Sequence, residues 1–237
     1  MTKHLVALVL LVCGVLSAQE PAKQAEPAKF VPETFYMALL RRAEPYDANK
    51  AASFANAQRE YWDGIAAKGG IVASGPVTSA KDTLAAVMII RAADPDGARK
   101  VAQGDPIVQG GLWTAEIHPW MTQKDALPSL KSYDPAKNYF LGFLRRGAKF
   151  SPEDSPERQK IQEGHMANMR RLGAMGKLIA AGPFMDDGDL RGIFVFKTAT
   201  LEEANELTNT DPAVQAGRLR IDLYSWQVPL EAFPNTK

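Results

Sequence analysis

Beyond residues 1–18 the chain holds two histidines, His118 and His165, and no cysteine, so its means of proton transfer and nucleophilic attack are few. An imidazole titrates nearest neutral pH of the side chains, which suits it to general acid/base work. His165 follows Ile161 by four residues and precedes Met169 by four and Leu172 by seven, so a helix here carries it on an apolar stripe. Registering "GKLIAAGPF" at 176–184 on "GGIVASGPV" at 69–77 sets Gln58 opposite His165, among Phe54, Tyr61 and Ile65. A buried polar group in both places requires a partner, since an unsatisfied one costs about 1–3 kcal/mol.

Candidate partners and competing chemistry are limited. The segment "GDPIVQGGL" at 104–112 recurs as "TDPAVQAGRL" at 210–219, so Asp105 and Asp211 each precede a proline as caps of short turns do. Arg145 and Arg146, like Arg41 and Arg42, close apolar runs, and one of each pair could face an anionic substrate. His118 in "EIHPW" reads as a strand-end polar residue, and "MDDGD" at 185–189 as a turn. Trp120 and Trp226 read as interface packing. No Gly-x-Ser-x-Gly, Walker loop or Gly-x-Gly-x-x-Gly is found, and two histidines without thiols do not make a zinc site, so no metal or cofactor is expected.

The elements that must position these residues come in two copies. "FYMALLRRA" at 35–43 and "NYFLGFLRRG" at 138–147 precede the Gly-Pro and Asp-Pro landmarks in the same order, the mark of a duplicated domain. The second copy reads as strand, helix over 155–176, two strands around the Asp/Gly turn, a helix opened by Thr200 with Glu203 as a capping box, and a last strand. The first copy matches it, with "DPDGARKVAQG" at 94–104 as its second helix. The fold class is therefore α+β: two ferredoxin-like βαββαβ repeats, 35–122 and 138–230, whose antiparallel sheets each have a bare face for the other to cover. Residues 123–137 are expected to be a linker and 231–237 a tail.

The ends read differently. Residues 1–18, "MTKHLVALVLLVCGVLSA", have the cationic start, apolar run and small-residue finish of a cleaved secretory signal peptide, and Val12 before Cys13 argues against a lipoprotein. Residues 19–34, with "EPAK" twice, read as a flexible tether, and the expected location is periplasmic or secreted. Losing Lys3 from 28 basic residues balances the charge against 27 acidic ones, which argues against nucleic acid as a partner. No second apolar stretch reaches membrane length.

The apolar first strand, the helix "GHMANMRRLGAMGKLIAAGPF" and the late "DPAVQAG" together resemble the YciI-like, or YCII-related, domain family of the dimeric α+β barrel class. The resemblance implies that this chain is a fused dimer, a monomer acting as an intrachain pseudo-dimer. It also implies a functional pair, a helix histidine with the aspartate of the Asp-Pro motif: His165 and Asp211 in the second copy, whereas the first keeps Asp105 but has Gln58 in the histidine's place, leaving these two as substrate-binding candidates. On that reading His165 is a general acid/base oriented by Asp211, acting by elimination, isomerisation or hydrolysis on a small organic molecule. The alternative is a non-catalytic module that binds a small molecule or a protein, with a structural histidine and aspartates that only cap turns. A haem reading, known for other barrels of the class, would take His165 as its ligand and is set aside.

Overall fold

The computed structural model describes residues 31–78, 82–124, 127, 130, 136–229 and 232–233. The first repeat runs β1 (Pro32–Arg42), α1 (Ala48–Ser53), α2 (Ala55–Ala66), β2 (Ile71–Pro76), β3 (Leu84–Ile90), α3 (Pro95–Gln103), α4 (Pro106–Gln109) and β4 (Trp113–Gln123). The second runs β5 (Ala136–Arg146), α5 (Pro156–Ala174), β6 (Leu178–Pro183), β7 (Leu190–Phe196), α6 (Leu201–Thr208), α7 (Pro212–Gln215) and β8 (Leu219–Pro229). Each repeat forms a four-stranded antiparallel sheet, in the order β2-β3-β1-β4 and β6-β7-β5-β8.

Local chemistry sets the helix starts. The Ser155 hydroxyl accepts the Arg158 N–H and Pro156 takes the first helical position of α5. Thr200 accepts the Glu203 N–H, and the Glu203 carboxylate accepts the Ala199 N–H, one residue further back than a standard capping box. Glu203 also pairs with Lys177 at 2.6 Å, which lowers its pKa. In the first repeat the helix breaks at Phe54 into α1 and α2, whereas α5 is continuous over the matching stretch.

The repeats join through their sheet edges and one core. Val77 bridges to Trp226 and Trp120 to Phe184, so the outer strand of each sheet meets the last strand of the other. Thr78 N–H donates to Ser225 O, and Met185 N–H to Pro119 O. The Gly-Pro landmarks sit at these crossings. A Cβ on Gly75 would stand 1.6 Å from Gln227 O and one on Gly182 1.8 Å from Met121 O, so only glycine admits the other repeat's backbone. Trp120 and Trp226 are fully buried, each donating its indole N–H across the seam, to Gly182 O and Gly75 O, both at 3.1 Å. Along β5, Tyr139, Leu141 and Phe143 enter the core shared by both repeats, while Phe140 and Leu144 face the helices, the period-2 alternation of a sheet covered on both sides.

Several boundaries differ from the sequence reading. Pro32, Glu33 and Thr34, read as tether, pair with Gln123, Thr122 and Met121, because a backbone ladder needs no apolar side chains. The 123–137 segment likewise yields its ends to β4 and β5, and Leu127 and Leu130 within it are buried in the shared core. Phe233 of the expected tail packs edge-on against Tyr139 and Trp226. The signal-peptide reading and the tether up to residue 30 lie outside the described residues. Among the described residues no helix is long and apolar enough to cross a membrane.

Candidate active site

The recurring Asp-Pro-x-Val-Gln-x-Gly is a one-turn helix with both ends specified. Asp105 Oδ1 accepts the N–H groups of Ile107 (2.8 Å) and Val108 (3.3 Å), and Asp211 Oδ1 accepts that of Ala213 at 2.8 Å. Proline follows each cap, and the motif's last glycine, Gly111 or Gly217, leaves the turn at φ +70° or +71°, a conformation that favours glycine.

Capping uses only one oxygen of each carboxylate. The other reaches the long helix of the same repeat: Asp211 Oδ2 lies 2.7 Å from His165 Nδ1, and Asp105 Oδ2 accepts the Gln58 Nε2–H at 2.8 Å. The turn cap and the partner of the helix side chain are therefore the same aspartate in each repeat. Gly164 brings α5 close to the turn, since a Cβ there would come within 3.0 Å of Pro212. Both aspartates are fully buried and His165 nearly so, its ring stacked on Phe194 at 5.9 Å between centroids. A carboxylate oxygen only accepts, so Nδ1 carries a proton and the neutral imidazole presents a lone pair at Nε2. Nε2 has no hydrogen-bond partner among the described residues, and His165 lines a cavity of about 500 Å³.

The twofold pattern ends at that cavity. Equivalent ladder and helix positions match Phe54 with Ile161, Trp62 with Met169, Ile107 with Ala213 and Leu112 with Arg218. The first repeat's groups pack together there: Ala51, Ile107 and Leu112 form a cluster with Tyr46, Phe54 and Trp113, and the Trp62 indole N–H donates a second hydrogen bond to Asp105 Oδ2 at 2.8 Å. In the second repeat Ile161, Met169 and Ala213 are smaller than their counterparts and leave space, bordered by Ile161, Met166, Met169, Ile193 and Phe194 and by Arg158, Arg191 and Arg218, the last in the place of Leu112.

The other site candidates fall elsewhere. Arg145 donates to Asp222 (2.6 Å) and Asp189 (3.0 Å); burial opposes its charge, but these hydrogen bonds prevail and raise its pKa. It is committed to an ion-pair cluster and does not line the cavity. Arg146 donates to Asp187 O and stacks over Phe150, again off the lining. Neither is placed to hold a ligand there; arginines 158, 191 and 218, which nothing in the spacing singled out, border it instead. Gln58 and Asp105 are bound to each other within the packed repeat. His118 sits inside β4, not at a strand end, with Nδ1 2.6 Å from Asp186 and its ring against Phe184. The "MDDGD" turn thus ties the repeats together through a histidine far away in sequence. Among the described residues no group of three or more His, Cys, Asp or Glu is placed to hold a metal ion.

The sequence matches the YCII-related domain twice, over residues 34–121 and 145–226. The chain belongs to the YCII-related domain family. Among curated proteins the sequence finds no match. A chlorite dismutase from Candidatus Nitrospira defluvii, solved with imidazole, is similar in structure with a TM-score of 0.55 and 11% identity, covering 86% of this chain and 94% of its own. A protein from Thermus thermophilus described as heme-binding superposes with a TM-score of 0.52 and 10% identity, covering 88% of this chain and 97% of its own. At these identities the likeness is one of fold: this YCII-related chain is a tandem duplication closed on itself as an intrachain dimeric α+β barrel.

Proposed function

We propose that the second repeat is a proton-transfer site for a small organic molecule and that the first repeat is its structural partner. The observation carrying this is that His165 is held at Nδ1 by a buried carboxylate and left open at Nε2 on a cavity, while the matching Gln58 faces a packed core. The lone pair at Nε2 takes a proton from a C–H or O–H of the bound molecule, and the imidazolium so formed is stabilised by Asp211. Returned to a different atom, the proton completes an isomerisation; given to a departing group, it completes an elimination; taken from water, it serves hydrolysis. The hydrophobic segment 1–18 supports export of the protein before it acts.

The test is His165→Gln, because Gln58 demonstrates that an amide at the matching helical position satisfies the equivalent aspartate, Asp105. Across a panel of carbon acids and esters, turnover should fall by about 100-fold or more with melting nearly unchanged. Equal turnover by wild type and His165→Gln would leave the alternative, a non-catalytic binding module. A second reading is haem binding, suggested by the T. thermophilus neighbour. An imidazole whose other nitrogen bonds a carboxylate is a suitable iron ligand, and His165 is the residue that would hold a haem iron. A Soret band after incubation with haemin, lost in His165→Ala, would favour that reading.

A further inference from the structure

Three guanidinium groups converge on the ring of Phe150: Arg146 at 4.9 Å, Arg218 at 5.8 Å and Arg191 at 6.0 Å from its centre. Arg191 and Arg218 also border the His165 cavity. Their polar contacts are with carbonyl oxygens, Arg218 Nη2 with Ser151 O (2.5 Å) and Arg191 Nη1 with Asp186 O (3.4 Å). Carboxylates of the surrounding turns and strands pair elsewhere: Asp189 and Asp222 with Arg145 and Arg220, Asp154 with Arg158, and Asp186 Oδ2 with His118. Two half-buried cations thus border the cavity without an ion-pair partner among the described residues.

The first repeat lacks both cations. By ladder register Arg191 corresponds to Ala85 and Arg218 to Leu112, so the charge appears only in the repeat that has the cavity and the histidine. We propose that the cavity takes an organic carboxylate with an apolar body, its carboxylate on Arg191 and Arg218 and its hydrocarbon against Met169, Ile193 and Phe194. A guanidinium fork matches a planar carboxylate with two parallel N–H bonds, and the apolar wall accepts a hydrocarbon but would desolvate a phosphate dianion without repayment. Placing the reacting carbon near His165 Nε2 rests on the proton-transfer reading above; the binding claim does not.

Isothermal titration of the full chain with 4-phenylbutanoate and octanoate tests the proposal, with 4-phenylbutanol and inorganic phosphate as comparison probes. Both carboxylates should bind, with the alcohol and phosphate weaker by about 10-fold or more, the worth of one charge-assisted hydrogen bond. Arg191→Gln and Arg218→Gln should each lose about 10-fold, and Arg191→Lys should recover part of it by restoring charge without the fork. Arg191→Gln is the decisive variant, since the 3.4 Å contact to Asp186 O contributes little to folding. His165→Gln should bind the carboxylates within about 3-fold of wild type, so loss of turnover and loss of binding report separate claims. No binding by either carboxylate, equal binding of the alcohol or of phosphate, or full affinity in Arg191→Gln would each overturn the proposal, whatever His165→Gln does to turnover.

Discussion

Asp105 and Asp211 occupy equivalent turns but serve different numbers of donors, so their removal should separate stability from function. Asp105 accepts four hydrogen bonds, from Ile107 N–H, Val108 N–H, Gln58 Nε2–H and Trp62 Nε1–H. Asp211 accepts two, from Ala213 N–H and His165 Nδ1–H. Truncating either residue to alanine removes a cap worth about 1 kcal/mol. Asp105→Ala additionally orphans the buried Trp62 indole and the Gln58 amide, whereas Asp211→Ala orphans an imidazole that cavity water can reach. A buried donor left unpaired costs about 1–3 kcal/mol, so Asp105→Ala should be less stable than Asp211→Ala by about that amount. In a chain of this size this corresponds to a melting difference of about 2–12 °C. Urea unfolding at a common slope measures it, and activity or ligand binding should follow the reverse order. Asp211→Asn sharpens the test: Oδ1 keeps the cap while Nδ2 donates to the imidazole, moving the ring proton to Nε2, visible in the ¹⁵N shifts of His165. An Asp211→Ala variant as destabilised as Asp105→Ala would refute the claim that the second turn exchanged packing for an open site.

Met169→Trp with Ile161→Phe should close the cavity by copying the first repeat, abolishing ligand binding in calorimetry while leaving the melting temperature within about 3 °C, one kcal/mol or less of net overpacking. Gly182→Ala should cost about 3 kcal/mol in urea unfolding, because its Cβ would collide with Met121 O at the seam; a near-neutral result would mean the repeats are not locked there. The Tyr224 phenol is pushed up to about 12 from 10.0, first by burial and then by the charges of Asp82 and Asp222. The folded chain therefore holds this proton more tightly than the unfolded one, and the stability this confers is intact below pH 10 and lost as pH rises through about 12. The advantage of wild type over Tyr224→Phe should shrink across that window, and an unchanged difference would refute it. Light scattering should give a monomer, since the edges that a single repeat would expose are bridged within the chain.

Order and type of elements were legible because they are local properties: strand alternation, Thr200 as a cap, and the Asp-Pro turns follow from near neighbours. Repetition carried the fold further, since a sheet with one bare face needs a second copy, and the match of Gln58 with His165 fell out of the same register. Sequence could not say whether Asp211 caps a turn or holds a histidine, because that depends on how closely α5 passes the turn; tertiary structure assigns one oxygen to each task. Nor did it place the cations. Arg145 and Arg146 drew attention as a doublet, yet Asp189 and Asp222 neutralise the first, and Arg191 and Arg218 reach the cavity from separate strand ends as isolated letters. The pairing of His118 with Asp186 was hidden for the same reason, since its partner comes from the other repeat. What determined a cavity in one copy and a packed core in the other is side-chain volume at three matched positions, Phe54/Ile161, Trp62/Met169 and Ile107/Ala213, and volume acts only once the helix, the sheet and the turn have been brought face to face.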